Sequence, residues 1–153
     1  MIRIGYVPGA FDLFHIGHLN ILRQAKENCD YLIAGVAADE VLVRHKGVTP
    51  VIPLFERLEI VRNVRYVNMA HAATTNDKIE IWKELHFNVL FKGDDWRGTE
   101  KGNGLERDLA SVGVDVVYFP YTQATSSSAL RRTLQNIDAI ATRTPNVETL
   151  EAA

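Results

Sequence analysis

Five short runs rich in Val, Ile, Tyr and Phe alternate with five stretches of helical period, and this alternation constrains the fold more than any other feature. The β-rich runs are Ile2–Val7, Tyr31–Ala37, Tyr66–Ala72, Asn88–Phe91 and Val114–Phe119. Several are apolar at successive positions, the pattern of strands buried on both faces of a helix-covered parallel sheet. Between and after them lie five stripes: Leu19, Leu22, Ala25 and Cys29; Leu54, Leu58, Val61 and Val64; Ile79, Trp82 and Leu85; Leu105, Leu109 and Val112; Leu130, Leu134 and Ile137. Their spacing of three or four residues turns one helical face toward a core. The reading is a single Rossmann-like, doubly wound α/β domain with a five-stranded parallel sheet. A chain of 153 residues is long enough to close one such core. From Asp138 the pattern thins into Thr, Pro, Asn and Glu, so residues 1–137 are expected to form the domain and 138–153 a C-terminal tail.

A formal net charge of -2 gives no global field for nucleic acid or an acidic membrane, and neither is expected as a partner. No run approaches the ~20 apolar residues of a membrane helix, and the first residues carry no basic flank or cleavage signal. The single cysteine, Cys29, cannot form an internal disulfide and shares its stripe with core positions. These features predict a cytoplasmic protein.

Open α/β sheets bind ligands outside the carboxyl ends of their strands, where strand order reverses. Three unusual stretches follow expected strands: Pro8–His18, Lys92–Gly104 and Pro120–Ser128. In the first, Pro8 and Gly9 are expected to end the strand, and a helix to start near His15. His15 and His18, three apart, then share a face. Gly17 between them lets a ligand approach the backbone, and a helix N-terminus suits phosphate. Taken alone, the pair also fits a half-formed metal site without further ligands nearby, or two surface histidines.

The segment Gly9-Ala10-Phe11-Asp12-Leu13-Phe14-His15-Ile16-Gly17-His18 resembles the H-x-G-H signature of the nucleotidyltransferase superfamily, in its extended form G-T-F-D-x-x-H-x-G-H. Within it the chain most resembles the glycerol-3-phosphate cytidylyltransferases, from about Ile4 to Leu134. Supporting segments are Asp39-Glu40, Arg65-Tyr66-Val67, Gly93-Asp94-Asp95-Trp96 and Tyr121–Ser128. The resemblance implies that His15 and His18 contact the nucleotide phosphates, and that Lys46 holds phosphate as a third catalytic group. It implies nucleotide contacts from Gly9, Ala10, Phe11, Gly17, Arg65, Asp95, Tyr121, Thr122, Ser126, Ser127 and Ser128, and acceptor contacts from Arg44 and Lys78. Solvated surface is the competing role for Lys46 and Lys78, and an N-cap role is compatible with binding at Ser126. It further implies Mg²⁺ carried with the nucleotide, no dedicated metal site, and a homodimer.

The implied reaction transfers CMP from CTP to a phosphorylated alcohol such as glycerol 3-phosphate, releasing pyrophosphate. Positioning and charge neutralisation would suffice, because a phosphate dianion is already a nucleophile. Asp94 or Asp95 would help hold metal or nucleotide, with a turn role open for Asp94. The chain departs from the family at its closing motif, where Tyr-Thr-Gln-Ala-Thr-Ser-Ser-Ser replaces a sequence like Arg-Thr-Glu-Gly-Ile-Ser-Thr-Thr, and at Ala10, usually threonine. Tyr121 thus stands in place of a cation, for which Arg131 and Arg132 are candidate substitutes. Two alternatives remain: an adenylyltransferase using ATP and a sugar phosphate, which Lys92-Gly93-Asp94 also resembles, and a nucleotide-sensing module without turnover.

Overall fold

The computed structural model describes residues 1–121 and 124–141. Five strands, β1 (Ile4–Gly9), β2 (Tyr31–Ala37), β3 (Met69–Ala73), β4 (Val89–Gly93) and β5 (Asp115–Phe119), form one sheet in the order β3-β2-β1-β4-β5. Every pairing is parallel. The α-helices are α1 (Ile16–Glu27), α2 (Asp39–Lys46), α3 (Leu54–Arg62), α4 (Lys78–Leu85), α5 (Glu100–Ala110) and α6 (Ser127–Ala141), with a 3₁₀ turn at Asp94–Trp96. The expected fold class is thus the observed one.

Alternation along the strands builds two cores. Val7, Leu32, Ala34, Val36, Val89 and Phe91 pack with Leu22 and Ala25 of α1 and Val61 of α3. Tyr6, Ile33, Ala73 and Leu90 face the other way, onto Ile81 of α4 and Leu109 of α5. Cys29 is half-buried against the first core, and burial pushes its thiol pKa up.

The boundaries differ from the sequence expectation in instructive ways. β1 starts later and runs on through Pro8 and Gly9. Pro8 lies beyond the β1–β4 pairs at Gly5 and Tyr6, where a missing N–H is least disruptive. β3 begins only at Met69, because the residues before it form a turn closed by Val67 N–H to Val64 O. Asn68 then pins that turn through its side chain, accepting from Leu32 N–H at 2.9 Å. Helix α2 was absent from the periodic reading, since its apolar residues Val41, Leu42 and Val43 follow one another instead of recurring at three or four. Gly47, left-handed at φ 62°, ends it directly after Lys46. Helix α6 continues to Ala141, past the expected boundary at Ile137.

Strand order reverses between β1 and β4. The crevice outside their carboxyl ends is therefore the place this topology reserves for a ligand.

Candidate active site

The turn leaving β1 is under backbone tension. Phe11 and Leu13 adopt φ of 53° and 52°, a left-handed conformation that side chains disfavour and that persists only under restraint from their surroundings. Arg57, fully buried on α3, donates from Nη1 to Ala10 O at 2.6 Å and Ala37 O at 2.8 Å, and from Nε to Ile52 O at 2.8 Å. Its other nitrogen bonds Asp39. Asp12, 1% exposed, accepts from the backbone N–H groups of Val51 and Ile52, each at 2.9 Å, and from Arg131 at 3.1 Å. Burial alone would push its carboxyl pKa up, but those three donors outweigh it and hold the group below the ordinary carboxylate value. Ser127 Oγ donates to Asp12 O at 2.7 Å, joining the start of α6 to the same turn. Arg131 thus pairs with Asp12 through Nη2.

His15 is the N-cap of α1. Its Nδ1 accepts from Gly17 N–H at 3.0 Å, while His18 Nδ1 accepts from His15 N–H at 3.2 Å. The two imidazoles therefore replace the oxygens of a capping box. With both Nδ1 atoms accepting, Nε2 carries the proton on each neutral ring. The ring centroids are 4.0 Å apart. Burial, reinforced by the neighbouring His15 and only partly opposed by Asp12, pushes the His18 pKa down to about 4, and burial also lowers that of His15. In the free protein both are neutral donors at physiological pH.

Two cavities meet here. The first, about 280 Å³, lies over the start of α1 and is lined by Gly9, Phe11, His15, Gly17, His18, Lys46, Asp95, Tyr121, Ser126, Ser127 and Ser128 among others. The second, about 560 Å³, spreads over β2, β3 and the start of α4, and takes in Ala10, Lys46 and Lys78. Pro8, Gly9, Lys46, Lys92 and Trp96 belong to both. Lys78 Nζ donates to Asn76 O at 3.0 Å. Burial pushes the Lys78 pKa down to about 8 against the pull of Asp77, with Lys46 adding to the fall. Burial does the same to Lys92, joined by Lys46 and Lys78, and opposed by Asp95.

Two expected contacts do not reach the site. Arg65 precedes β3, so it lies toward the amino end of a parallel sheet whose ligand crevice is at the carboxyl end; its guanidinium sits 5.9 Å over the Tyr66 ring. Arg44 is exposed on α2 and lines neither cavity. Lys46 is exposed as well, but two positions along a helix are about 200° apart, and its side of α2 borders both cavities. Thr122 lies outside the described residues. Sequence reasoning passed over Asp12, Arg57 and Lys92. Arg57 had a legible signal, a cation on the apolar stripe between Leu54 and Val61. Lys92 had another, a lone charge closing the apolar run Val89–Phe91.

Fold and site together define an open α/β domain whose crevice gathers imidazole and lysine donors. The Cytidylyltransferase-like family matches residues 6–141, and the chain belongs to that family of nucleotidyltransferases. Over 98 residues it is 43% identical to an ethanolamine-phosphate cytidylyltransferase from Dictyostelium discoideum, which covers 61% of this chain but only 26% of that protein. The chain thus spans about a quarter of that relative's length. It is 32% identical over 137 residues to the FAD synthase of Pyrococcus abyssi, covering 88% of this chain and 91% of that one. The lipopolysaccharide core biosynthesis protein of Thermoplasma volcanium superposes with a TM-score of 0.68 at 22% identity, over 82% of this chain and 100% of that one, and shares the fold. Among the described residues no helix is long and apolar enough to cross a membrane.

Proposed function

We propose that this protein transfers CMP from CTP to a small phosphorylated acceptor and releases pyrophosphate. The observation that carries the reading is the pair of neutral imidazoles capping α1, with Nε2 of each left to meet a ligand, opposite lysines 46, 78 and 92. The nucleotide would lie in the first cavity, its phosphates on the start of α1. The acceptor would occupy the second, with its phosphate toward Lys46 and Lys78. An acceptor phosphate oxygen then attacks the α-phosphorus, and the bond to the bridging oxygen breaks with its electron pair leaving on pyrophosphate. The imidazole N–H groups meet charge that grows on the leaving oxygens, and no proton needs to move.

Among the described residues no three His, Cys, Asp or Glu side chains gather as a metal cage, and Asp95 is the carboxylate that lines the first cavity. That set suits Mg²⁺ arriving on the triphosphate, with Asp95 as a single protein oxygen; when bound it neutralises phosphate charge.

CTP is favoured by the Gly93-Asp94-Asp95-Trp96 resemblance and by the identity to the cytidylyltransferase. The second reading is an ATP-dependent adenylyltransferase, supported by the near full-length match to the archaeal FAD synthase. Pyrophosphate release with CTP and ATP, against a panel of phosphorylated alcohols, sugars and flavin, separates them. Turnover with ATP alone overturns the cytidylyl reading. Nucleotide binding without turnover on any acceptor points instead to a sensing module.

A further inference from the structure

Lys92 is a cation with an unexplained position. It closes β4, the strand beside the point where the sheet order reverses, and lines both cavities at their junction. Its side chain is half-buried, yet among the described residues no carboxylate comes within ion-pairing distance of it. What holds it is the face of Trp96, with Nζ 3.8 Å from the ring centroid. Trp96 is fixed in turn, its carbonyl accepting from Thr99 Oγ1 at 2.7 Å. A Cβ on Gly102 would come within 2.0 Å of that same carbonyl oxygen, so α5 closes directly on the platform.

The charges around Lys92 are mostly of its own sign. Lys46 faces it from α2 and Lys78 from α4, while Asp95 on the 3₁₀ turn is the opposing charge. Asp77, at the start of α4, acts on Lys78. Three lysines interact here, and burial first, then their mutual repulsion, lowers the proton affinity of Lys78 and Lys92 against the opposing pull of Asp77 and Asp95. Two phosphate groups meeting between the cavities would compensate these cations.

We propose that Lys92 is a catalytic residue of the transfer, donating to oxygens of both the acceptor's phosphomonoester dianion and the nucleotide's α-phosphate as the bond between them forms. The inference rests on the nucleotidyl-transfer reading above and adds to it the residue that bridges the reactants. As the acceptor oxygen bonds to the α-phosphorus and the bridging bond breaks toward pyrophosphate, two anionic groups are forced together. Lys92 stays protonated throughout and offsets that repulsion. A monoester dianion is the class of acceptor such a cluster selects, over a carboxylate carrying half the charge.

The test compares the wild type with Lys92→Met, Lys92→Arg and Lys78→Arg, using CTP, ATP and the acceptor panel, with melting curves alongside. Lys92→Met is expected to lose on the order of 10²–10³ in kcat, a larger factor than it loses in nucleotide affinity by calorimetry. The wild-type kcat/KM for acceptor should decline as pH rises through about 8. In Lys92→Arg the decline should move to higher pH, since arginine keeps its charge. Near-normal turnover in Lys92→Met overturns the proposal, as does an alkaline limb that moves in Lys78→Arg but not in Lys92→Arg. Binding of a nucleoside monophosphate, CMP or AMP, at pH 8, followed in buffers of different ionisation enthalpy, places a phosphate at the α position and supplies a readout without turnover. It should take up fewer protons in Lys92→Met than in the wild type, and equal uptake also overturns the assignment. A wild type that binds the monophosphate with that uptake but turns over nothing sinks the functional reading and leaves the Lys92 anion contact standing.

Discussion

Arg57→Met asks whether the buried guanidinium holds the turn after β1 in its tensioned shape. The side chain is fully buried and satisfies three carbonyls, on Ala10, Ala37 and Ile52. Each carbonyl left without a donor costs about 1–3 kcal/mol. All three residues are only half-buried, so water recovers part of this and the low end applies. The Asp39 end of the ion pair is 43% exposed and adds little. With the void left by a shorter side chain, the loss should be about 3–5 kcal/mol, roughly 1 kcal/mol for each carbonyl with the remainder from the void. For a chain of this size that corresponds to a fall in Tm of roughly 6–20 °C. Thermal and urea melts measure it, and the urea midpoint should drop at unchanged m. At a temperature where the variant is folded, kcat should also fall, because Ala10 and Phe11 lose their anchor. Arg57→Lys keeps the charge but lacks the planar fork, and should rescue only part of either loss. A Tm within ~2 °C of wild type for Arg57→Met would refute the reasoning.

His15→Asn should keep an oxygen for Gly17 N–H yet present no Nε2 donor, so Tm stays near wild type while kcat falls by ~10²–10³. His15→Ala should show the same kinetic loss and a further ~1 kcal/mol of destabilisation from the lost cap; wild-type turnover in His15→Asn contradicts the assigned role. Because the folded state depresses the His18 pKa from 6.5 to about 4, the unfolded chain binds more protons within that window. Its contribution to stability is therefore whole above pH 6.5 and lost as pH falls toward 4. Urea midpoints from pH 7 to 4.5 should show a slope that His18→Gln flattens, and identical slopes would deny the buried neutral imidazole. Tyr121 is 53% exposed on the rim of the first cavity. Tyr121→Arg should leave KM for nucleotide largely intact and lower kcat/KM for the natural acceptor; improved turnover of glycerol 3-phosphate, with no better acceptor harmed, would mean that the tyrosine is a weakened form of the family site.

The periodic stripes of α1, α3, α4 and α5 were legible because each of these helices turns one apolar face to the sheet, and a three-or-four spacing records that directly. The α6 stripe has the same spacing, yet Leu134 and Ile137 are exposed rather than facing the core as expected. Helix α2 was invisible because its apolar residues, Val41, Leu42 and Val43, are consecutive and carry no three-or-four spacing. The site's outer residues could be read because His15, Gly17 and His18 are neighbours in sequence. The frame behind them could not. Asp12 draws its partners from Val51, Ile52 and Arg131, and Arg57 from Ala10, Ala37, Ile52 and Asp39, associations that exist only once the sheet has brought distant turns together. Arg65 went the other way: it was assigned by position in a motif, and the direction of β3 removed it from the crevice.

The reversal of strand order at β1 also governs when the binding crevice can exist. β1 meets β2 after a single helix, but meets β4 only after two strands and four helices have intervened. Closing that longer loop carries the greater entropic penalty and belongs to the slower, non-local part of assembly. A chain caught with only β1, β2 and β3 joined would own the histidine turn and Lys46 while lacking Lys92 and the Trp96 platform. If the proposed site binds a polyphosphate, that affinity belongs to the completed sheet, and its return during refolding should mark the moment at which the two halves have zipped along β1.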